Sequence, residues 1–188
     1  TSLDFIGVEK WRMTLDAYAD QIVMAATTDK EGNLWLAGLT SASLETVTPT
    51  ETGVNVDNVI VEPVPQVRGD LNALTLWKIS TSGELVETFS ESATAPLLIT
   101  AISHSASGIS ILGERESGSI LVSLTPAGNF SKAVIIGSKK SSFTSIFRNA
   151  DGSAQIYGSS AETLGGKARV GIRDGILAKV SKSGSLTT

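Results

Sequence analysis

The sequence predicts an all-β chain of antiparallel, four-stranded units, and three observations carry that prediction. Apolar residues come in short runs of four to seven, often alternating with polar ones, as strands with one buried face require. Helical spacing is nearly absent. Gly, Asn, Asp and Ser punctuate the runs, and paired glycines return at a regular interval along the chain.

The strand-forming runs follow in order. IVMAATT starts at Ile22, NLWLAGL at Asn33, LTLWKIS at Leu74 and LLITAIS at Leu97. SILVSL starts at Ser119, KAVIIG at Lys132, SFTSIF at Ser142, AQIYG at Ala154 and ILAKV at Ile176. Three longer segments align: VMAATTDKEGNLWLAGLTS from Val23, ITAISHSASGISILGERES from Ile99 and FTSIFRNADGSAQIYGSSA from Phe143. Each has a strand, a turn with glycine (Gly32, Gly108, Gly152), a second strand, and a glycine that closes it (Gly38, Gly113, Gly158). A second half-unit follows each, with turn glycines Gly83, Gly128 and Gly184. Glycine suits these turns because a tight hairpin needs positive φ.

The units run over about 22–93, 94–141 and 142–188, and residues 1–21 read as the outer strand of a preceding or closing unit. Gly108 and Gly152 are 44 residues apart, and Gly83 and Gly128 are 45 apart. Four strands in roughly 40–50 residues is the period of a β-propeller blade. The expected fold is therefore a partial β-propeller of about three four-stranded antiparallel blades in a single domain.

The runs DKEGNLWLAGLTS, LWKISTSGEL and VEKWRMTLDAYADQ resemble bacterial propeller repeats of the SBBP type. That pattern reads Asp-x-x-Gly-Asn, an aromatic strand, Gly-x-Thr, a strand ending in Lys, a glycine turn and an outer strand with Trp. The resemblance covers nearly the whole chain. It is weaker in the second and third units, where Gly108-Ile109 and Gly152-Ser153 replace Gly-Asn. It implies a propeller in an exported or cell-surface protein and no particular activity.

Three blades are fewer than the ~4–8 that close a ring. The chain begins within a unit, and the last unit is expected to stop after its third strand, near Ser185. The remaining blades are expected from a longer chain of which this is a fragment, or from a second subunit.

Composition bounds the function. The net charge is −4 and the isoelectric point about 5.0, which disfavours nucleic acid because phosphate binding needs a basic footprint. The pair Lys139-Lys140 reads as a solvated turn. There is no Cys and one His, which excludes disulfides and cysteine zinc sites. No apolar run approaches the roughly 20 residues of a membrane helix.

The segment 44–72 interrupts the first unit with Pro49, Pro63 and Pro65 and a series of acids. Long insertions in compact domains are often functional. Glu45, Asp57, Glu62, Arg68 and Asp70 are the candidate binding residues, for a protein or carbohydrate partner. The plainer expectation is an ordered but passive loop, or an extra hairpin built from VNVDNVIVEP.

Elsewhere the plain readings win. Asp29 and Asn33 read as turn-stabilising residues, since Asp29-x-x-Gly32-Asn33 lacks the alternating acids of a calcium loop. His104 reads as an exposed turn residue, with no nucleophile elbow in the sequence. Glu114-Arg115-Glu116 and Arg169, Arg173 and Asp174 read as solvated loop charges. Trp35 and Trp77 sit inside apolar runs and read as packing residues.

No catalytic residue, metal ligand or cofactor is expected. The leading functional expectation is a non-catalytic binding or scaffolding module. The alternatives are a propeller enzyme (lyase, lactonase or glycosidase) with its site in the central channel, and a purely structural part of a larger assembly.

Overall fold

The computed structural model describes residues 1–15, 20–41, 54–56, 59–61, 71–92 and 96–188. Among these there is no helix, and the described strands form three four-stranded antiparallel sheets and two hairpins. The N-terminal hairpin pairs β1 (Ser2–Leu3) with β2 (Glu9–Trp11). The first sheet is a meander of β3 (Gln21–Thr28), β4 (Leu34–Ser41), β7 (Leu71–Ile79) and β8 (Leu85–Ser92). Within its insertion, β5 (Val54–Val56) pairs with β6 (Val59–Val61), the hairpin expected of VNVDNVIVEP.

The second sheet is β9 (Leu98–Ser105), β10 (Gly108–Arg115), β11 (Gly118–Leu124) and β12 (Val134–Gly137). The third is β13 (Ser141–Arg148), β14 (Ala154–Ser160), β15 (Asp174–Val180) and β16 (Leu186–Thr187). The expectation that the last unit stops after three strands is corrected by β16, which pairs with the end of β15 through Thr187 and Leu186.

The sheets pack face to face. Trp35, Ala37, Leu39, Leu74 and Leu76 of the first meet Ile102, Ile109, Ile111, Ile120, Val122 and Leu124 of the second. On the other face of the second sheet, Leu112 and Leu121 meet Phe143, Ile146, Ala154, Ile156, Ala178 and Val180. The second sheet is thus covered on both sides, which accounts for the unbroken run SILVSL: a strand buried on two faces loses polar alternation. Neighbouring sheets also touch through their first strands, β3 beside β9 and β9 beside β13.

Three local devices recur. The first is a hairpin turn that appears six times, starting at Asp4, Asp29, Ser80, Thr125, Asn149 and Ser181. In each, the amide of the first residue donates to the carbonyl four residues on, and the amide of the glycine donates back to the first residue's carbonyl. The glycine has φ between 81° and 90° in all six, the left-handed position of a three-residue hairpin loop.

The second device is a bulge in each first strand. The pairing slips between Val23 and Ala25, opposite Leu112/Gly113, and between Phe143 and Ser145. The closing glycines Gly38, Gly113 and Gly158 lie opposite the bulges. A Cβ on Gly38 would stand 1.9 Å from the Ile22 carbonyl oxygen, and one on Gly158 2.1 Å from that of Ser142. Close backbone approach therefore selects glycine there.

The third device joins sheets at their outer edges. Trp11 of β2 lies over Gly83, Phe89 of β8 over Gly128, and Val134 of β12 over Gly184. Each outer strand so places an apolar side chain on the outer turn glycine of the next sheet. The Trp11 indole also donates to the Thr81 carbonyl at 3.1 Å. The N-terminal residues are thus a two-stranded hairpin docked on the first sheet.

One alignment is corrected. Gly108 is the first residue of β10, paired with Ser105 across a two-residue loop, and is not the counterpart of Gly32 and Gly152. The shorter loop explains why the glycine spacing drops from six to five in the second unit.

Two polar clusters tie the second sheet to the third. Arg148 is buried and bonds only to neutral oxygens: Nε to Ser107 Oγ, Nη1 to the Ser110 and Ser123 hydroxyls, and Nη2 to the Ser107 carbonyl at 2.9 Å. Glu162 accepts from Ser141 Oγ, Ser138 Oγ and the Ser138 amide. The Ser141 hydroxyl chiefly, with the Ser138 donors, holds the Glu162 carboxyl below its ordinary value. A depressed folded-state pKa stabilises above the unfolded value near 4.5, and the contribution is lost as pH falls through the folded value. Glu162→Gln is therefore expected to flatten the acid limb of a stability–pH curve and leave its neutral plateau lower. An unchanged acid limb in urea melts would contradict this.

Candidate cleft between the first two sheets

The hairpin turns of the first two sheets enclose a cleft of about 630 Å³. One wall is the turn Asp29–Asn33 with Trp35, Lys78, Glu87 and Phe89 behind it. The other is His104–Ser105 at the end of β9, with Leu124–Gly128 from the β11–β12 turn. Residues almost a hundred positions apart thus meet because the sheets stack in register at their turn ends.

Asp29 builds the first wall. Its Oδ1 accepts from the amides of Glu31 and Asn33 at 3.1 and 2.8 Å, and its Oδ2 from Asn33 Nδ2 and the Trp35 indole at 2.9 and 3.1 Å. Burial pushes its carboxyl up, but these hydrogen bonds outweigh it and leave the group below its usual range. All four bonds organise the turn, as the sequence suggested, so Asp29 is a scaffold of the cleft.

Trp35 forms the floor. Its ring lies against Phe89 at 6.0 Å and His104 at 5.9 Å, both near parallel, with the Lys78 ammonium 5.3 Å from its centroid. These are distances at which ring quadrupoles and a cation attract. Trp35 is only 6% exposed, so it supports the cleft and offers no open face to a ligand. Trp77 is buried as well.

His104, Lys78 and Glu87 line the cleft, with the exposed Lys30–Glu31 pair on the turn beside them. Lys78 Nζ lies 4.0 Å from Glu87 Oε2. His104 is half-buried on a strand, which corrects its reading as an exposed turn residue. Its imidazole makes no hydrogen bond to any described residue, only the stack on Trp35. Burial lowers its pKa most, with Lys78 and Arg148 adding to that, against the pull of Asp29 and Glu31. The imidazole is thus expected neutral at pH 7. As the only histidine, it gives unambiguous ring-proton signals, and its titration midpoint is expected below 6.5. A midpoint at or above 6.5 would contradict the packing against Trp35.

The expected binding residues Glu45, Asp57, Glu62, Arg68 and Asp70 lie outside the described residues. Glu114 bonds Ser142 Oγ at 2.7 Å, and Glu116 pairs with Lys139. Both therefore serve the junction of the second and third sheets. Nothing local in the sequence marks Lys78, Glu87 or His104 as neighbours. Among the described residues no three His, Asp or Glu side chains cluster to hold a metal ion, and no helix is long and apolar enough to cross a membrane. No family model matches the chain, and no curated protein matches its sequence.

Proposed function

We propose that this chain is a run of consecutive β-propeller blades that acts as a non-catalytic binding module, with the cleft at His104 as its site. The observation that carries the binding role is the cleft itself: a buried aromatic floor beneath an ammonium, a carboxylate and an imidazole with no hydrogen-bond partner among the described residues. Pockets of this kind, apolar below with a few convergent polar groups above, are the usual form of a recognition site. The occupant that suits it is a peptide segment carrying both charges. Trp35 and Trp77, both buried, offer no open ring face for sugar stacking in the cleft.

The propeller reading is supported by the first strands lying side by side and by the three recurring devices. The third sheet supports it further. The cross-strand pairs Ala37–Leu76 and Leu112–Leu121 sit at one position in the first and second sheets, beside or one residue before the closing glycine. Each faces the next sheet, with exposures of 0% and 0%, and 0% and 7%. The matching pair on the third sheet, Tyr157–Leu177, is 39% and 59% exposed. A further sheet on that face would bury it as the first two are buried, so the chain is proposed to be part of a larger ring. The likeness to SBBP-type repeats extends the proposal to an exported or cell-surface setting.

Titration with short peptides bearing Lys and Glu, followed through the His104 ring protons, tests the site. Binding that shifts those signals and weakens in Lys78→Gln and Glu87→Gln is expected. Peptides that bind without moving His104, or no binding by any of them, would overturn the assignment.

A further inference from the structure

The β14–β15 loop, residues 161–173, holds two apolar side chains clear of the molecule. Val170 is 98% exposed and Ile172 is 90%. The loop around them is well braced. Leu164 anchors its base in the core between the second and third sheets, and Thr188 Oγ1 donates to the Leu164 carbonyl at 3.2 Å. Asp174 takes the Val170 and Gly171 amides at 2.6 and 2.8 Å. Arg169 spans the loop, with Nη1 donating to the Ala161 and Ile172 carbonyls. The side chains are therefore presented by a fixed backbone.

The charges around the tip are mostly of one sign. Lys167, Arg169 and Arg173 flank it, and among the described residues none of them makes an ion pair, though Arg169 lies near enough to Asp174 to help lower its carboxyl. Asp174 is engaged by the two backbone amides, which chiefly hold its carboxyl below the ordinary range. Glu162, at the start of the loop, is turned to Ser138 and Ser141. Arg173 Nη1 donates to Ser159 Oγ at 2.9 Å. Each guanidinium has five N–H donors, so both keep some for a ligand. A chain of net charge −4 thus carries a local excess of cations on the loop that bears the apolar point.

We propose that this loop docks on an anionic lipid surface, with Val170 and Ile172 entering the acyl boundary and Lys167, Arg169 and Arg173 meeting headgroup phosphates. Apolar insertion combined with attraction to anionic lipid is how peripheral proteins hold a membrane. An acidic protein could satisfy the cations. It would cover a projecting side chain on one side, whereas lipid surrounds it, and side chains this fully clear of their own chain suit the second solvent.

Co-sedimentation with vesicles of phosphatidylcholine alone, or with about a third phosphatidylserine, tests this. Binding to the anionic vesicles only, weakened by salt and reduced about tenfold or more in the Val170→Ser, Ile172→Ser double variant, is expected. Lys167→Gln should weaken it less. Both variants should melt as the parent does, since the side chains touch nothing. Equal binding to neutral vesicles, or a double variant that binds as the parent, would overturn the proposal. So would binding to an acidic peptide with none to vesicles, which would assign the loop to a protein partner.

Discussion

Replacing Arg148 with Met is expected to cost about 3 kcal/mol of stability, among the largest single effects in the chain, because hydrogen bonds to a charged group contribute most. The guanidinium sits between the second and third sheets, where Ser107, Ser110 and Ser123 receive it and no carboxylate among the described residues neutralises it. Burial holds its pKa below the ordinary arginine value, yet the group stays charged. Without it the buried Ser110 hydroxyl and Ile109 carbonyl lose this donor, as do the half-buried Ser107 and Ser123 oxygens. Arg148→Lys should not rescue the loss, because an ammonium cannot span the same oxygens as a planar fork. Adding Ser110→Ala and Ser123→Ala to Arg148→Met should recover part of it, by removing the unsatisfied groups. Urea unfolding measures all three. A loss under about 0.5 kcal/mol in Arg148→Met, the range of ordinary surface changes, would show that the cluster contributes nothing.

Gly38→Ala and Gly158→Ala are expected to be comparably severe, at about 3 kcal/mol or more, because a Cβ there meets backbone that cannot move aside. The obstacle is the bulged first strand: the carbonyl oxygens of Ile22 and Ser142 stand 1.9 and 2.1 Å from the added carbon. Gly113→Ala should cost less, since its nearest neighbour is a Leu97 methyl at 2.7 Å, with the Leu98 carbonyl oxygen at 2.9 Å. Gly175→Ala is the control, with no atom within 4 Å of its Cβ. It should be neutral or slightly stabilising, because alanine narrows the unfolded ensemble. Thermal melts that rank Gly175→Ala with Gly38→Ala would contradict the bulge as the reason for the recurring glycine.

The glycines are also where the sequence was most legible. A residue without a side chain marks a backbone requirement, and a requirement met once per sheet shows as a period. Alternation located the strands wherever one face is polar, and SILVSL became a strand by length and β-branching once both its faces were buried. The alignment failed at Gly108 because a two-residue loop and a three-residue loop both employ glycine, and spacing alone does not tell which. The cleft was not legible. His104 meets Trp35, and Arg148 meets Ser107, across 69 and 41 residues, by stacking of whole sheets. No local pattern encodes such a meeting. Reading His104 from the turn-like SHSASG beside it put an exposed residue where a neighbouring sheet in fact covers the ring.

The proposed radial arrangement of the sheets is most directly tested by distances between paired spin labels, for which a chain without native cysteine is well suited. One pair sits on the first strands of neighbouring sheets, at Met24 and Thr100. The other sits on their fourth strands, at Ser90 and Ile135, which pair across their sheets to the levels of Gly38 and Gly113. Sheets that fan out from a common axis predict a clearly longer distance for Ser90–Ile135 than for Met24–Thr100. Equal distances would mean parallel layers, as in a sandwich, and would contradict the propeller.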